Sequence, residues 1–142
     1  MSEIDAVIGG YTGLSRVALR YGQIVGELVR AAKDPGFGPD GWAPLAELVD
    51  VPNFVRVGTF KEVQNWSEYT EFLTGWASSA DWDCSFRRIT EASGIVFLEL
   101  EERSRIGEFR SVVNSASVYE FTADARIRRI GVYLQMELPA SG

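Results

Sequence analysis

The sequence predicts an α+β fold: a cone-shaped, curved and mostly antiparallel sheet that wraps around three helices. An amphipathic helical stretch, residues 65–80, leads into four long strand-like runs that end near Gln135. The turns between these runs are too short for helical crossovers, so consecutive strands must pair in an antiparallel way. This order of elements places a pocket between the sheet and the helices.

Three helices are predicted from apolar residues that recur every three or four positions. The first runs over residues 15–33, and the second, which is shorter, over residues 41–49. The third begins at Asn65, and Glu68 three residues later completes a capping-box pattern, in which each side chain accepts the other residue's backbone N–H. These are the helices that the sheet is expected to enclose.

Five strands are predicted, one before the third helix and four after it. The short strand covers residues 51–57, and the long ones cover residues 83–91, 95–103, 108–121 and 126–135. Ala92-Ser93-Gly94, between the first two long strands, is typical of a tight hairpin. Several strands are apolar on both faces, and such a sheet needs two covers. The helices supply one cover, so we expect a homodimer in which a second copy covers the other sheet face.

A single domain is expected, because 142 residues are typical of one hydrophobic core. We assign this domain to residues 15–135. Residues 1–14 carry Gly9, Gly10 and Gly13 and show little periodicity, so they are interpreted as a flexible lead-in. Residues 136–142 are interpreted as a tail.

The charge of the chain limits its partners. The formal net charge is −6 and the isoelectric point is about 4.7, which makes nucleic acid and anionic membrane surfaces poor partners. No apolar run approaches the roughly 18 residues that span a bilayer, and the acidic N-terminus has no apolar signal core. The single cysteine, Cys84, excludes an intrachain disulfide and fits a reducing compartment. We therefore expect a cytoplasmic protein without nucleic-acid or membrane partners.

Histidine is absent from the whole chain. Ser-His-Asp and Cys-His catalysis are therefore excluded within this chain. Zinc sites that need histidine are excluded too, and one cysteine cannot build a thiolate site. We expect neither a metal nor another cofactor. Any general acid or base has to be an Asp, Glu, Tyr or Lys side chain, or Cys84.

Three local patterns accompany this order of elements. They are Asp40-Gly41-Trp42-x-x-Leu45, Asn65-Trp66-x-x-Tyr69-x-x-Phe72-Leu73, and Val118-Tyr119-Glu120-Phe121 followed by a turn and Arg126-Ile127. With them, residues 15–135 resemble the nuclear transport factor 2-like superfamily, and within it the SnoaL-like branch. The resemblance implies a cone whose helices close an apolar cavity. It leaves function open, since the superfamily includes steroid isomerases, polyketide cyclases, dehydratases, epoxide hydrolases and non-catalytic binding domains.

The carboxylates that this resemblance implies are missing from their usual positions. The short strand offers Arg56 where isomerase-like members have an Asp base, and Ser117 stands where they have a protonated Asp. Neither Gly131 nor Val132 supplies the late acid of cyclase-like members. Arg103-Ser104-Arg105 replaces the Arg-x-Asp pair of the epoxide hydrolases. The familiar mechanisms of the superfamily are therefore not expected here in their usual form.

Two residues are candidates for chemistry. Glu99 shares a strand face with Ile95 and Phe97, and if that face lines the cone, apolar surroundings would raise its pKa and make it a general base. Alternatively, Glu99 belongs to a solvated strand end with cross-strand salt bridges. Tyr21 lies on the inner face of the first helix, either as a hydrogen-bond donor to a ligand oxygen or as an ordinary core tyrosine.

Three functions remain open. The leading one is a SnoaL-like pocket protein that binds a small apolar molecule. The residues expected to contact this ligand are Tyr21, Tyr69, Phe72, Trp76, Ser117, Tyr119 and Val132. The second is an acid/base lyase, isomerase or cyclase for a polyketide- or steroid-like substrate, with Glu99 or another glutamate as base and Tyr21 or Ser117 as oxyanion donor. The third is a non-catalytic dimerisation domain with a collapsed cavity, well below about 300 Å³.

Overall fold

The computed structural model describes residues 3–138 of the chain. Within this range the α-helices are α1 (Glu3–Val7), α2 (Gly13–Ala31), α3 (Ala43–Ala46) and α4 (Trp66–Ala77). The strands are β1 (Val55–Val57), β2 (Val63–Gln64), β3 (Ala80–Ala92), β4 (Ile95–Ile106), β5 (Phe109–Phe121) and β6 (Ile127–Met136). Short 3₁₀ turns cover Ile8–Gly10, Pro39–Trp42 and Val51–Asn53.

The strands form one sheet in the order β2-β1-β6-β5-β4-β3. Neighbouring strands pair antiparallel except β1 and β6, which are parallel, with Val55 opposite Arg129. The sheet is curved and unclosed, and helices pack against it. The α+β prediction of a curved, mostly antiparallel sheet around helices is confirmed.

The four long strands lie where the strand-like runs and turn residues predict them, and their ends differ from the predicted ones by at most three residues. Ala92 pairs with Ile95, so β3 and β4 are joined by a two-residue turn. Both turn residues, Ser93 and Gly94, have positive φ (53° and 75°). That backbone is the type I′ turn, whose twist matches the right-handed twist of the flanking strands.

Two shorter elements differ from the prediction. Residues 51–57 were expected to form one strand, but Val51–Asn53 is a 3₁₀ turn and β1 begins only at Val55. Pro52 explains the difference, because proline fixes φ and has no N–H for a strand ladder. The predicted helix over residues 41–49 is likewise divided into a 3₁₀ turn and the four-residue helix α3.

The expected flexible lead-in is helical at Glu3–Val7. Ile4 in this helix is 0% exposed and belongs to the hydrophobic core. Gly22 of α2 makes the contact possible, because a Cβ at that position would lie 2.9 Å from Ile4 Cδ1. The boundaries of the single domain stay a prediction. Of the predicted tail, Met136 still belongs to β6, and residues 139–142 lie outside the described range.

Helices α2 and α4 form the cover of the inner sheet face. The capping box of α4 is confirmed: Glu68 N–H donates to Asn65 Oδ1, and Asn65 N–H donates to Glu68 Oε1, both at 2.9 Å. Lys33 Nζ joins the two helix ends, because it donates to Val29 O at 2.6 Å and to Ala77 O at 2.8 Å. None of the helices in residues 3–138 is both long and apolar enough to cross a membrane.

The two faces of β4 have different chemistry. Val96, Leu98 and Leu100 are buried and point inward, toward the helices. Side chains alternate along a strand, so the odd-numbered residues, including Glu99 and Glu101, point to the outer face. The same alternation directs residues 102 and 104 toward the inside of the cone.

Candidate functional site

A cavity of about 320 Å³ lies between the inner sheet face and helices α2 and α4. Its lining consists of Tyr21, Gly22, Val25, Arg56, Tyr69, Phe72, Leu73, Trp76, Trp82, Leu100, Glu102, Ser104, Val113, Ser117, Ile130, Val132 and Leu134. Most of these side chains are apolar, and the polar ones come from a few positions on different elements. This volume lies at the lower end of the range for small-molecule pockets.

Six of the seven side chains predicted to contact a ligand border this cavity: Tyr21, Tyr69, Phe72, Trp76, Ser117 and Val132. Tyr119 does not border it. Its side chain is 4% exposed and lies behind Tyr21, whose ring it meets edge-on at a centroid distance of 5.8 Å. Tyr119 thus supports the wall. The binding role of the six lining residues stays a prediction.

Of the two interpretations of Glu99, the structure supports the solvated strand end and not the apolar inner face. Glu99 lies on the outer face, where Arg88 Nη2 donates to its Oε1 at 2.9 Å and Arg88 Nε donates to its Oε2. The hydrogen bond from Arg88 lowers the pKa of this carboxyl, opposite to the rise expected in apolar surroundings. Glu99 is therefore one end of a cross-strand ion pair, as its alternative interpretation proposed.

Glu102, on the same strand, is the carboxylate that borders the cavity. Its Oε1 accepts a hydrogen bond of 2.8 Å from Trp82 Nε1 on β3. Within residues 3–138, no Lys or Arg nitrogen lies within 4.0 Å of its carboxylate oxygens. The sequence indicated that residue 102 faces inward. Charged residues at 99, 101, 103 and 105 alternate with Leu98 and Leu100, so the even-numbered positions share the apolar face.

Trp82 is a second lining residue that sequence reasoning missed. The indole lies against helix α2 at Gly26, where an added Cβ would stand 3.4 Å from Trp82 Cζ3. Contact with the helix on one side and the hydrogen bond to Glu102 on the other fix the ring. The indole N–H is consequently aimed at the carboxylate, and it orients Glu102 within an apolar wall.

Arg56 places a cation in the same cavity. Its guanidinium carbon stands 5.0 Å from the centre of the Tyr69 ring, a cation–π distance. Its Nη1 donates to Gln64 Oε1 at 3.2 Å, and Glu62 is a more distant ion partner at 3.9 Å. The side chain is only 17% exposed. Arg56 stands where the family resemblance implies an Asp, and these contacts hold its guanidinium in place.

Tyr21 and Tyr119 are neutral groups at ordinary pH. Tyr21 Oη donates to Tyr69 Oη at 3.4 Å. Burial raises the pKa of Tyr21 well above its usual value, and the neighbouring Tyr69 adds to the rise. Burial also raises the pKa of Tyr119. Both phenols therefore keep their protons over the ordinary pH range.

The site thus combines one carboxylate, one guanidinium and neutral hydroxyls around an apolar volume. Such a set can hold a ligand by its polar atoms, and it can also move a proton. Among the described residues 3–138, no three His, Cys, Asp or Glu side chains are grouped so that they could hold a metal ion.

No protein-family model matches the sequence, and no curated protein matches it. Solved structures do match the fold. A nuclear transport factor 2-like protein from Anabaena variabilis ATCC 29413 is 16% identical, with a TM-score of 0.62, over 89% of this chain and 96% of that one. An epoxide hydrolase from M. tuberculosis, similar to LEH, is 14% identical, with a TM-score of 0.57, over 79% of this chain and 84% of that one.

A third solved structure is a protein from Jannaschia sp. CCS1 that is named for its likeness to SnoaL-like polyketide cyclases. It is 14% identical, with a TM-score of 0.54, over 77% of this chain and 83% of that one. Identities this low carry the fold and not the activity. The chain has the fold of the nuclear transport factor 2-like superfamily.

Proposed function

We propose that this protein binds a small, largely apolar molecule in the cavity between the sheet and helices α2 and α4. The observation that carries the proposal is the volume of about 320 Å³ with mostly apolar walls and a few convergent polar groups. This combination is typical of small-molecule sites. The likeness to an epoxide hydrolase and to a cyclase-like protein supports the proposal at the level of the fold alone.

Native mass spectrometry of the protein purified from its own host tests this function. We expect a co-purified molecule of low polarity. Val132→Trp fills the cavity from its sheet side, whereas Tyr133→Trp places the same ring on the outer face, where Tyr133 is 65% exposed. The first variant should lose the bound molecule and the second should keep it. Repeated preparations without any bound molecule, or equal retention by both variants, would contradict the proposal.

The second candidate is an acid/base lyase, isomerase or cyclase for a polyketide- or steroid-like substrate. The observation in its favour is that the Glu102 carboxylate and the protonated Tyr21 hydroxyl border one cavity. A carboxylate can take a proton from carbon, and a neutral phenol can donate to the resulting oxyanion. In this candidate Glu102 takes the role that the sequence analysis gave to Glu99 or another glutamate.

Deuterium incorporation at the α-carbon of a steroid ketone, followed by mass spectrometry, tests the catalytic candidate. Glu102→Gln should slow the exchange by about 10²–10⁴-fold, the usual contribution of a general base. Glu99→Gln, the same change on the outer face, should leave it unaltered. If both variants exchange like the natural protein, or if the natural protein gives no exchange above buffer, catalysis by Glu102 is ruled out for this substrate class.

We further propose a homodimer through the outer sheet face. Phe97, Val112 and Tyr133 are exposed there, and Ala116 pairs with Tyr133 at the centre of the face. Sedimentation velocity at micromolar concentration should give a dimer that Tyr133→Asp dissociates. The control Phe60→Asp replaces an exposed side chain outside the strands. A monodisperse monomer would contradict this proposal, and a dimer with an empty cavity would favour the third candidate, a non-catalytic dimerisation domain.

A cytoplasmic location is our proposal for the compartment, and it rests on the single cysteine. Cys84 is buried and free, and burial raises the pKa of its thiol to about 12. A thiol of this kind is unreactive and needs no oxidising compartment. Fractionation of host cells, with detection by an antibody, would contradict the proposal if the protein were found outside the cytoplasm.

A further inference from the structure

We propose that the cavity selects an elongated ligand with two different ends: a carboxylate that meets Arg56 and a basic amine that meets Glu102, joined by an apolar middle. The inference rests on the proposed binding function and adds the chemistry of the ligand. It starts from one fact about the site. A largely apolar cavity contains one guanidinium and one carboxylate, and these two do not form an ion pair with each other.

The topology of the sheet keeps the two charges apart. Arg56 lies on β1 beside Ile130 of β6, and Glu102 lies on β4 opposite Val113 of β5. Three strand spacings separate β1 from β4, which is about 14 Å across the sheet. Ile130 of β6 pairs with Tyr119 of β5. Tyr119 and Val113 are about 20 Å apart along β5. Curvature of the sheet shortens these separations, and the two groups border the cavity from strands that are not neighbours.

Glu102 has no ion-pair partner among residues 3–138. Trp82 supplies one hydrogen bond to Oε1, at 2.8 Å, and a carboxylate can accept about four. A carboxylate beside apolar walls is stabilised when a positive charge pairs with it. Residues 3–138 supply no Lys or Arg within 4.0 Å of it. Trp76 and Trp82 border the same cavity, and aromatic rings with a carboxylate are the chemistry that recognises an ammonium group.

The Arg56 end is prepared for an acid. A guanidinium has five N–H donors in a planar fork that fits a carboxylate. One of its nitrogens, Nη1, is shared between Gln64 at 3.2 Å and the exposed carboxylate of Glu62 at 3.9 Å, and the Tyr69 ring holds the group in place. The Tyr69 hydroxyl, which accepts from Tyr21, borders the same cavity and has its own O–H as a further donor. A ligand carboxylate therefore finds several convergent donors there.

The apolar middle follows from the side chains between the two ends. Leu73 of α4, Leu100 of β4, and Val132 and Leu134 of β6 border the cavity away from the two charges. Ser117 of β5, opposite Val132, adds one hydroxyl to this otherwise apolar stretch. The middle of the ligand is consequently a methylene chain or a hydrocarbon ring.

Isothermal titration calorimetry with four probes of one chain length tests the inference. The probes are ω-aminododecanoic acid, dodecanoic acid, dodecylamine and dodecanol, each below its micelle-forming concentration. Glu102→Gln should weaken binding of the two amines about tenfold, the effect of one charge-assisted hydrogen bond, and leave dodecanoic acid unchanged. Arg56→Met should weaken the two acids by a similar factor and leave dodecylamine unchanged.

Matched variants control for charge and for packing. Glu101→Gln removes a carboxylate one position away, on the outer face, and Arg128→Met removes an exposed guanidinium paired with Glu120. Neither should change the affinity of any probe. Arg56→Lys keeps the charge and should retain most of the dodecanoic acid affinity, which separates the loss of charge from the loss of packing on Tyr69.

The outcomes separate this inference from the function on which it rests. If all four probes bind alike, or if Glu102→Gln leaves dodecylamine binding unaltered, the two-ended ligand is wrong while apolar binding stands. If none of the probes binds the natural protein, the inference also fails. Native mass spectrometry of the host-purified protein then decides the binding function independently.

Discussion

Lys33 provides the sharpest test of how the helical cover is held together. Its Nζ donates to Val29 O at 2.6 Å and to Ala77 O at 2.8 Å, so one ammonium serves the C-terminal ends of both α2 and α4. Lys33→Met keeps the hydrocarbon stem and removes both hydrogen bonds. Each is worth about 1 kcal/mol net, and the negative ends of two helix dipoles lose their cation as well.

The expected loss in the free energy of unfolding is about 2 kcal/mol. For a chain of this size that corresponds to a melting temperature lower by about 6 °C. Urea denaturation followed by circular dichroism measures the loss directly. An unchanged m-value would show that only the stability changed.

Lys61→Met is the matched control. Lys61 is the other lysine of the chain, is exposed, and lies in the loop before β2. This variant should unfold within about 0.5 kcal/mol of the natural protein, as surface substitutions usually do. The reasoning fails if Lys33→Met is no less stable than Lys61→Met, because the two hydrogen bonds would then contribute nothing measurable.

Three further predictions concern single positions. Ala125 has φ 64° in an exposed turn, a strained backbone for a residue with a Cβ. Ala125→Gly should therefore raise the free energy of unfolding by about 1 kcal/mol. A lower denaturation midpoint for the variant would contradict this strain. Ser115 Oγ is buried, and residues 3–138 supply no hydrogen-bond partner for it. Ser115→Ala should therefore be neutral or stabilising in the same urea assay, and a loss above about 1 kcal/mol would reveal a partner. The pKa of Cys84 is raised to about 12 from a usual 9.0. The unfolded thiol therefore ionises first, and stability should fall between pH 9 and 12. Cys84→Ala should flatten that alkaline slope, and an equal slope in both proteins would show that other groups cause it.

Local signals accounted for the strands and the caps. The capping box at Asn65 and Glu68 depends on residues three apart, and the Ser93-Gly94 turn depends on two adjacent residues, so both are visible in a short stretch of sequence. Helix α1 was missed for the opposite reason. Its anchor, Ile4, is buried only because it packs on Gly22 of another helix, and no local pattern encodes that contact.

Part of the candidate site could be predicted from the sequence. Spacing along one helix identified Tyr69, Phe72 and Trp76, since a helix that faces the core presents one stripe. The sequence left the strand face of Glu99 open and did not single out Glu102. Residues 95–98 are apolar on both faces, and the bulge between Phe86 and Arg88 changes the pairing register with β3. The charged residues that alternate along the strand from Glu99 onward identify the outer face.

The pairing of β1 with β6 determines when the site can exist during folding. β1 ends at Val57 and β6 begins at Ile127, so the segment that carries Arg56 has no parallel partner until most of the chain is available. Contacts between such distant segments are costly in loop entropy and form slowly. The antiparallel hairpins β3–β4 and β4–β5 can assemble first and bring Glu102 into position. The guanidinium corner of the cavity is then completed last, when β6 enters between β5 and β1.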